Sequence, residues 1–198
     1  MSKGRVRGAA LGLPTSGPGS VARVRTRCAG WLLDGLVTLP WTLLIYVAVR
    51  HPHFETLTRS NGSTHRHLAT TKPPVLVGLL VLVPPVLYTI GLIAVRGRTI
   101  GEQLMGLRVV RIANLGPLVD PDPETRVPAT AATAPGWRPS ALRWVVLGWI
   151  AVGNVFHRLP VGLTGGLVLL VYLWACWDAN GQGLHDKAAK VVVLRTRS

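Results

Sequence analysis

The sequence predicts an all-α integral membrane protein with four transmembrane helices, the third and fourth of which form a short hairpin. Apolar residues make up 48% of the 198 residues, charged residues only 15%, and the mean hydropathy is positive at +0.37. The apolar residues occur in long blocks rather than at helical or strand spacing, which is typical of segments surrounded by lipid. Lys and Arg flank these blocks and give the chain a net charge of +14.

This basic excess indicates a lipid partner rather than nucleic acid. Lys and Arg at the ends of apolar blocks suit anionic lipid headgroups and determine membrane topology. With four spans, seventeen of the 22 Lys and Arg residues fall on the side that carries both termini. We therefore expect a multi-pass protein of the cell membrane with cytoplasmic N- and C-termini. A homo-oligomer or an assembly with other membrane proteins is also compatible with the sequence.

The N-terminal residues 1–22 are basic and rich in Gly, Pro and Ser, which predicts a disordered tail. A membrane domain over residues 23–195 follows, with a first span at about 29–49. This span contains an acid, Asp34. A charged side chain at mid-membrane costs ~2.5–3.5 kcal/mol on insertion scales, so Asp34 requires a partner or a function.

A polar loop is expected after the first span, with Asn61-Gly62-Ser63 as a turn signal. It holds two His-x-His pairs, His51/His53 and His65/His67. In extended backbone each pair shares one face and could offer two imidazoles to a divalent metal. Nothing in the sequence holds the two pairs together, so a solvated, histidine-rich loop is the simpler interpretation.

The second span, at about 74–95, contains Pro84-Pro85 in its interior. The two prolines free the backbone carbonyls of Leu80 and Val81, which a neighbouring helix or water must satisfy. Such interruptions occur at transport sites, and they also occur as simple kinks.

The segment after the second span predicts a short cytoplasmic helix and then a strand. Thr99 and Glu102 form a T-x-x-E capping box, so a helix should begin there. Residues 107–112 are rich in β-branched side chains and predict a strand, which can pair with the Val-rich C-terminal segment as a two-stranded ribbon. Residues 113–139 are rich in Pro, Ala and Thr and predict a flexible insertion.

Two short apolar runs complete the membrane domain, at 141–156 and 161–177. Ser140 can cap the first of these helices, with Arg143 extending its charged end towards the interface. His157-Arg158-Leu159-Pro160 lies between the runs and favours a hairpin over one long segment.

Three motifs in order resemble the RDD family of small polytopic membrane proteins. They begin at Arg27, Gly97 and Gly183 and end at Asp34, Val110 and Val193. The resemblance implies that the residues for which the family is named are Arg27, Asp34 and Asp186. It also implies a cytoplasmic motif with Gly97, Thr99, Gly101, Glu102, Gly106 and Arg108. Lys190 stands where the family usually has threonine, and the insertion at 113–139 departs from the shortest members.

The resemblance implies transport of ions or small solutes, with proton coupling as one form of it. In this interpretation Asp34 is a proton- or cation-responsive carboxylate in the transport path. The alternative is a non-catalytic accessory or scaffold protein in which the Arg and Asp residues form a structural clamp. Arg27 and Asp34 lie two helical turns apart and cannot pair directly, so we expect Asp34 to be neutralised by arginines of residues 96–111, at the level of Asp186.

The sequence predicts no enzyme and no cofactor. It contains no Ser/His/Asp order, HExxH, P-loop or Gly-rich nucleotide fingerprint. Its two cysteines, Cys28 and Cys176, indicate neither a disulfide framework nor a thiolate zinc site.

Overall fold

A computed structural model of the chain describes residues 8–49, 52–58, 62–70, 75–119, 127–155 and 161–197. Helices lie at all four predicted span positions, and two shorter helices follow the second and the last of them. The helices are α1 (Val24–Val49), α2 (Val75–Arg96), α3 (Ile100–Leu104), α4 (Trp137–Val155), α5 (Val161–Leu173) and α6 (Leu184–Ala188). The strands are β1 (Pro52–Thr58), β2 (Thr64–Thr70), β3 (Leu107–Arg111) and β4 (Val191–Arg195).

Two of the described helices contain segments long and apolar enough to cross a membrane, Val24–Ile45 in α1 and Gly78–Arg96 in α2. Only 6% and 11% of these segments are buried by the rest of the protein. The core helix of a soluble protein would bury its apolar side chains, whereas these helices expose them, as a lipid environment allows. A shorter apolar helical segment runs over Gly166–Cys176.

The helices pack in sequence, with α1 against α2, α2 against α4, and α4 against α5. α2 continues through Pro84-Pro85. The Trp41 indole N–H of α1 donates to the Leu80 carbonyl at 3.1 Å. This is one of the two carbonyls that the prolines deprive of a backbone donor, so a neighbouring helix satisfies it.

Strands β3 and β4 form the predicted two-stranded ribbon. They pair antiparallel, with Val109 opposite Val193. The ribbon has a third, irregular neighbour in residues 19–22, because Ala22 N–H donates to the Val193 carbonyl at 2.9 Å and Arg195 N–H to the Ser20 carbonyl at 2.9 Å. The valines of β4 are fully buried, so this small sheet has its own core.

The predictions of a disordered tail and a flexible insertion are wrong for their described residues. Leu13 and Val21 from the N-terminal segment pack with Leu115 and Leu118 from the insertion. This cluster covers the face of the β3–β4 sheet that would otherwise expose Val110, Val192 and Leu194. The apolar residues are sparse along the chain, but the sheet supplies the surface against which they become buried.

The histidine-rich segment is a β-hairpin rather than an irregular loop, so the fold is mostly helical and not all-α. β1 pairs antiparallel with β2 over their whole length, from Pro52 opposite Thr70 to Thr58 opposite Thr64. Gly62 of the predicted turn follows β1 and precedes β2. Its φ of +76° is a backbone conformation that glycine adopts readily.

The hairpin does not pair the candidate metal ligands with one another. Its register places His53 opposite Ala69, His65 opposite Leu57 and His67 opposite Glu55, so no histidine of one strand stands directly across from a histidine of the other. Because directly opposite residues and residues two apart share one face of an antiparallel hairpin, His53, Glu55, His65 and His67 nevertheless lie on the same face. His51 and the side chains of the other three histidines lie outside what the structure describes. Within the described part of the chain, no three His, Cys, Asp or Glu residues are placed to hold a metal.

Two predictions for α4 and α5 remain: the N-cap at Ser140 and the break between the two helices. α4 begins at Trp137, so Ser140 lies inside the helix, where its hydroxyl donates to the Gly136 carbonyl at 2.8 Å instead of capping. The predicted break at 157–160 lies outside the described residues.

Candidate functional site

Asp34 of α1 accepts three hydrogen bonds at the end of the helices nearest the β3–β4 sheet. The Thr99 hydroxyl donates to Oδ2 at 2.6 Å, and the Tyr88 hydroxyl donates to Oδ1 at 2.8 Å. The backbone N–H of Gly101 donates to Oδ1, also at 2.8 Å. These donors come from α2 and α3, and all three are neutral.

The two hydroxyl hydrogens are directed to Asp34 by the other bonds that these hydroxyls make. The Tyr88 oxygen accepts from Ile100 N–H at 3.1 Å, and the Thr99 oxygen accepts from Glu102 N–H at 3.2 Å. Each hydroxyl therefore has its own hydrogen left for the carboxyl group. Three donors converging on two oxygens is an arrangement suited to an ionised carboxylate, which only accepts.

Glycine at position 101 is required by the contact between α3 and α1. A Cβ at this position would lie only 2.1 Å from the Gly30 carbonyl oxygen and 2.9 Å from the Asp34 carboxyl group. Gly97 and Gly106 flank α3 with φ angles of +70° and +64°, a backbone region that favours glycine. Gly101 therefore allows the start of α3 to lie directly on Asp34, and Gly97 and Gly106 allow the turns at the two ends of α3.

A second carboxylate, Asp186 of α6, is fully buried between two arginines. Arg27 Nη1 lies 2.9 Å from Oδ2, and Arg143 Nε lies 2.8 Å from Oδ1. The Gly183 N–H also donates to Oδ2, at 3.2 Å. Burial on its own raises the pKa of Asp186, but its interactions with His185, Arg143 and Arg27 outweigh the effect of burial and hold the pKa well below its ordinary value.

His185 is buried against Asp186 and Tyr172. Its Nε2 lies 3.3 Å from Asp186 Oδ1, and the centroid of its ring lies 4.9 Å from that of Tyr172. Burial lowers the pKa of His185 to about 4, although Asp186 acts in the opposite direction. The imidazole is therefore neutral at pH 7, and the two arginines are the cations that keep Asp186 ionised at this pH.

Arg143 and Glu102 connect the two carboxylate clusters. Arg143 Nη1 lies 3.2 Å from Glu102 Oε1. The other oxygen of Glu102 accepts from Thr99 N–H at 3.0 Å and completes the predicted capping box. A continuous set of contacts thus runs from Arg27 through Asp186, Arg143, Glu102 and Thr99 to Asp34. Two arginines face three carboxylates, which leaves one negative charge.

A cavity of about 350 Å³ lies between α1, α2, α4 and α5, directly beside this set of contacts. Asp34, Thr99, Glu102 and Arg143 are among its lining residues. The remaining wall is largely apolar and aromatic, with Trp31, Leu82, Val86, Trp144, Leu147, Val168 and Tyr172.

The RDD family model matches residues 21–118, about half of the chain. The chain belongs to the RDD family. The match, together with the exposed apolar helices, identifies a membrane-associated domain. No curated protein and no solved structure matches the chain. Arg143 and Asp186 lie beyond the matched residues, and the fold brings both to Arg27 and Glu102 within them.

The three residues for which the RDD family is named do not form one direct cluster. Arg27 pairs with Asp186, whereas Asp34 bonds to neutral donors. The expectation that arginines of residues 96–111 neutralise Asp34 is wrong, because the bonds that Asp34 accepts come from the start of α3 and from the Tyr88 hydroxyl. Arg108 lies in β3, where burial and the nearby charge of Arg98 lower its pKa.

Arg143 is the most informative residue that sequence reasoning placed wrongly. It does not extend to the interface but is buried between Asp186 and Glu102. In the sequence Arg143 is a lone arginine at the start of an apolar helix. This pattern is equally compatible with a side chain that reaches the membrane interface and with one that pairs with a buried acid. The roles of Tyr88 and His185 in these contacts were not predicted. The feature that could have indicated them is a ring with a polar atom inside or close to an apolar run.

Proposed function

We propose that this RDD protein moves small cations or other small solutes across the cell membrane, in a manner coupled to protons, through the cavity between α1, α2, α4 and α5. The observation that carries the proposal is the bonding of Asp34. Its carboxyl group faces a cavity within apolar helices, and among the described residues it forms no ion pair. A carboxylate in such surroundings attracts a positively charged partner as its counter-charge.

The buried charges support a cation rather than an anion. Arg27 and Arg143 are matched by Asp186 and Glu102, which leaves the charge of Asp34 without a basic side chain among the described residues. A proton and a small cation can exchange at such a group, because either one removes the same unfavourable charge.

A four-span topology with cytoplasmic termini belongs to the same proposal. The support for it is that the start of α1, the start of α4 and the end of α5 meet at one group of buried charges. Arg27 near the start of α1 and Arg143 near the start of α4 both contact Asp186, while Tyr172 near the end of α5 stacks on His185. α4 and α5 therefore run in opposite directions, as a hairpin requires. Protease protection of tags at the two ends tests this, and ends on opposite faces would contradict it.

The transport proposal is tested by flux in proteoliposomes. Purified wild type and an Asp34→Asn variant are reconstituted at equal density, and cation-dependent proton movement is followed with a trapped pH dye. We expect flux in the wild type and a loss of at least about tenfold in Asp34→Asn, with normal insertion and a normal gel-filtration profile. The matched control is Asp178→Asn, an acid that pairs with Lys187 and is not among the residues that line the cavity, and this variant should retain wild-type flux. Equal flux in Asp34→Asn would refute the proposal.

The second candidate function is a non-catalytic accessory or scaffold protein, alone or as a homo-oligomer. It is favoured by the contacts from Arg27 to Glu102, which tie α1, α3, α4 and α6 together. This function predicts that Asp186→Asn lowers accumulation or disrupts assembly in membranes, while Asp34-dependent flux is absent from wild type. Normal accumulation and assembly of Asp186→Asn would argue against it.

A further inference from the structure

The cavity beside Asp34 has one polar end and a much larger apolar remainder. Asp34, Thr99, Glu102 and Arg143 lie at the polar end, where the charge of Arg143 is matched by Glu102 and Asp186. The opposite walls come from apolar side chains of α2, α4 and α5, and they include Val86 and Val168. At about 350 Å³ the cavity falls in the range of sites that hold small organic molecules.

The polar end has room for one hydrogen-bond donor on the carboxylate. Oδ1 of Asp34 already accepts from Tyr88 and Gly101, whereas Oδ2 accepts from Thr99 alone among the residues that the structure describes. Each carboxylate oxygen offers about two acceptor positions, so the open position is on Oδ2. A positively charged N–H donor at this position would both complete the bonding and balance the charge.

The aromatic walls suit the part of a ligand that adjoins such a charge. The rings of Trp31 and Tyr172 are neighbours, with centroids 6.1 Å apart, and both line the cavity together with Trp144. Aromatic faces attract organic cations and also contact apolar groups. A bare metal ion would instead need several oxygen ligands, and most of this wall offers none.

From these observations we propose that the cavity binds an amphipathic monocation: a protonated primary or secondary amine on an aromatic or aliphatic body about the size of a phenylbutyl group. The ammonium group donates to Asp34 Oδ2, and the apolar body lies between α2, α4 and α5. The inference rests on the proposed function, because it names the cargo class of the same cavity.

The test is a binding measurement on the full chain in detergent micelles, which does not depend on transport. Isothermal titration calorimetry compares 4-phenylbutylammonium with its neutral analogue 4-phenylbutan-1-ol. We expect the ammonium to bind wild type at least about tenfold more tightly than the alcohol, because the charge-assisted bond to Asp34 is absent from the alcohol. Asp34→Asn should remove the difference, and Asp178→Asn should retain it.

A second variant keeps the test decisive if Asp34→Asn does not fold. Val86→Phe places a ring in the apolar wall and should weaken binding of the ammonium and of the alcohol together, by about tenfold or more. Equal binding of ammonium and alcohol to wild type would overturn the inference. So would complete displacement of the ammonium by about 100 mM NaCl but not by choline chloride at the same ionic strength, since this would indicate an inorganic cation site.

The inference and the proposed function fail in different ways. Asp34-dependent proton flux with Na⁺, together with equal binding of ammonium and alcohol, would sink the ligand class and leave transport standing. Asp34-dependent binding of the ammonium, without flux of any cation in proteoliposomes, would sink transport and leave a binding site.

Discussion

Replacement of Asp186 by Asn should strongly destabilise the protein. Asp186 has no exposed surface and pairs with both Arg27 and Arg143. Asn preserves the shape of the side chain but leaves two buried guanidinium groups without their shared carboxylate. Loss of one partner from a buried ion pair costs about 3–5 kcal/mol. In a chain of this size about 1 kcal/mol shifts Tm by about 2–4 °C, so we expect Tm in micelles to fall by about 6–20 °C.

The adjacent residue supplies the matched control. Lys187 pairs with Asp178, but its side chain is 46% exposed. Asp178 is only 6% exposed, but the lysine end of the pair is solvated, so the pair should contribute about 1 kcal/mol and Lys187→Gln should lower Tm by about 4 °C at most. Scanning fluorimetry of both variants in the same detergent measures the contrast. The reasoning about the buried network is refuted if Asp186→Asn is no less stable than Lys187→Gln.

Three further changes test neighbouring contacts by the same Tm measurement. Because the pKa of His185 is lowered from 6.5 to about 4, the unfolded chain takes up a proton first, and wild type should lose about 3 kcal/mol as pH falls across this interval. His185→Gln should flatten that loss; an unchanged pH dependence would contradict the assignment. Gly101→Ala should lower the free energy of unfolding by about 1–3 kcal/mol, because the added methyl group forces α3 away from Gly30. Its control is Gly116→Ala, which has open space around it and should cost less than about 1 kcal/mol. Equal losses of stability in the two variants would contradict the close contact. Trp41→Phe should cost about 1–3 kcal/mol by leaving the Leu80 carbonyl unsatisfied, and an unchanged Tm would show that another donor replaces the indole.

The parts of the fold that local sequence patterns encode could be predicted. Long apolar blocks gave the positions of the four long helices, and Thr99 with Glu102 gave the start of α3. The β-branched residues of β3 and β4 likewise indicated the ribbon. Each of these signals lies within a few residues along the chain, so it needs no knowledge of distant partners.

The predictions that failed concern residues whose environment is made by distant segments. Leu13 and Leu115 stand among Gly and Pro with no periodic neighbours, and only the face of the sheet makes them core residues. Asp34 was expected to pair with an arginine because side-chain charge is visible in a sequence. The donors it uses include the backbone of Gly101, whose position depends on how α3 sits on α1. Side-chain chemistry alone does not show this.

The separation of Arg27 from its partner along the chain has a consequence for biosynthesis. The two residues are 159 positions apart, and β4 contacts residues 19–22 at a similar separation. During synthesis α1 is therefore complete well before Asp186 exists, and until then Arg27 lacks the acid with which it pairs in the folded protein. The pair between Arg27 and Asp186 can form only after α6 has been synthesised. A ribosome that stalls before position 186 would release a chain with a permanently unpaired guanidinium, a defect by which quality control could recognise an unfinished product.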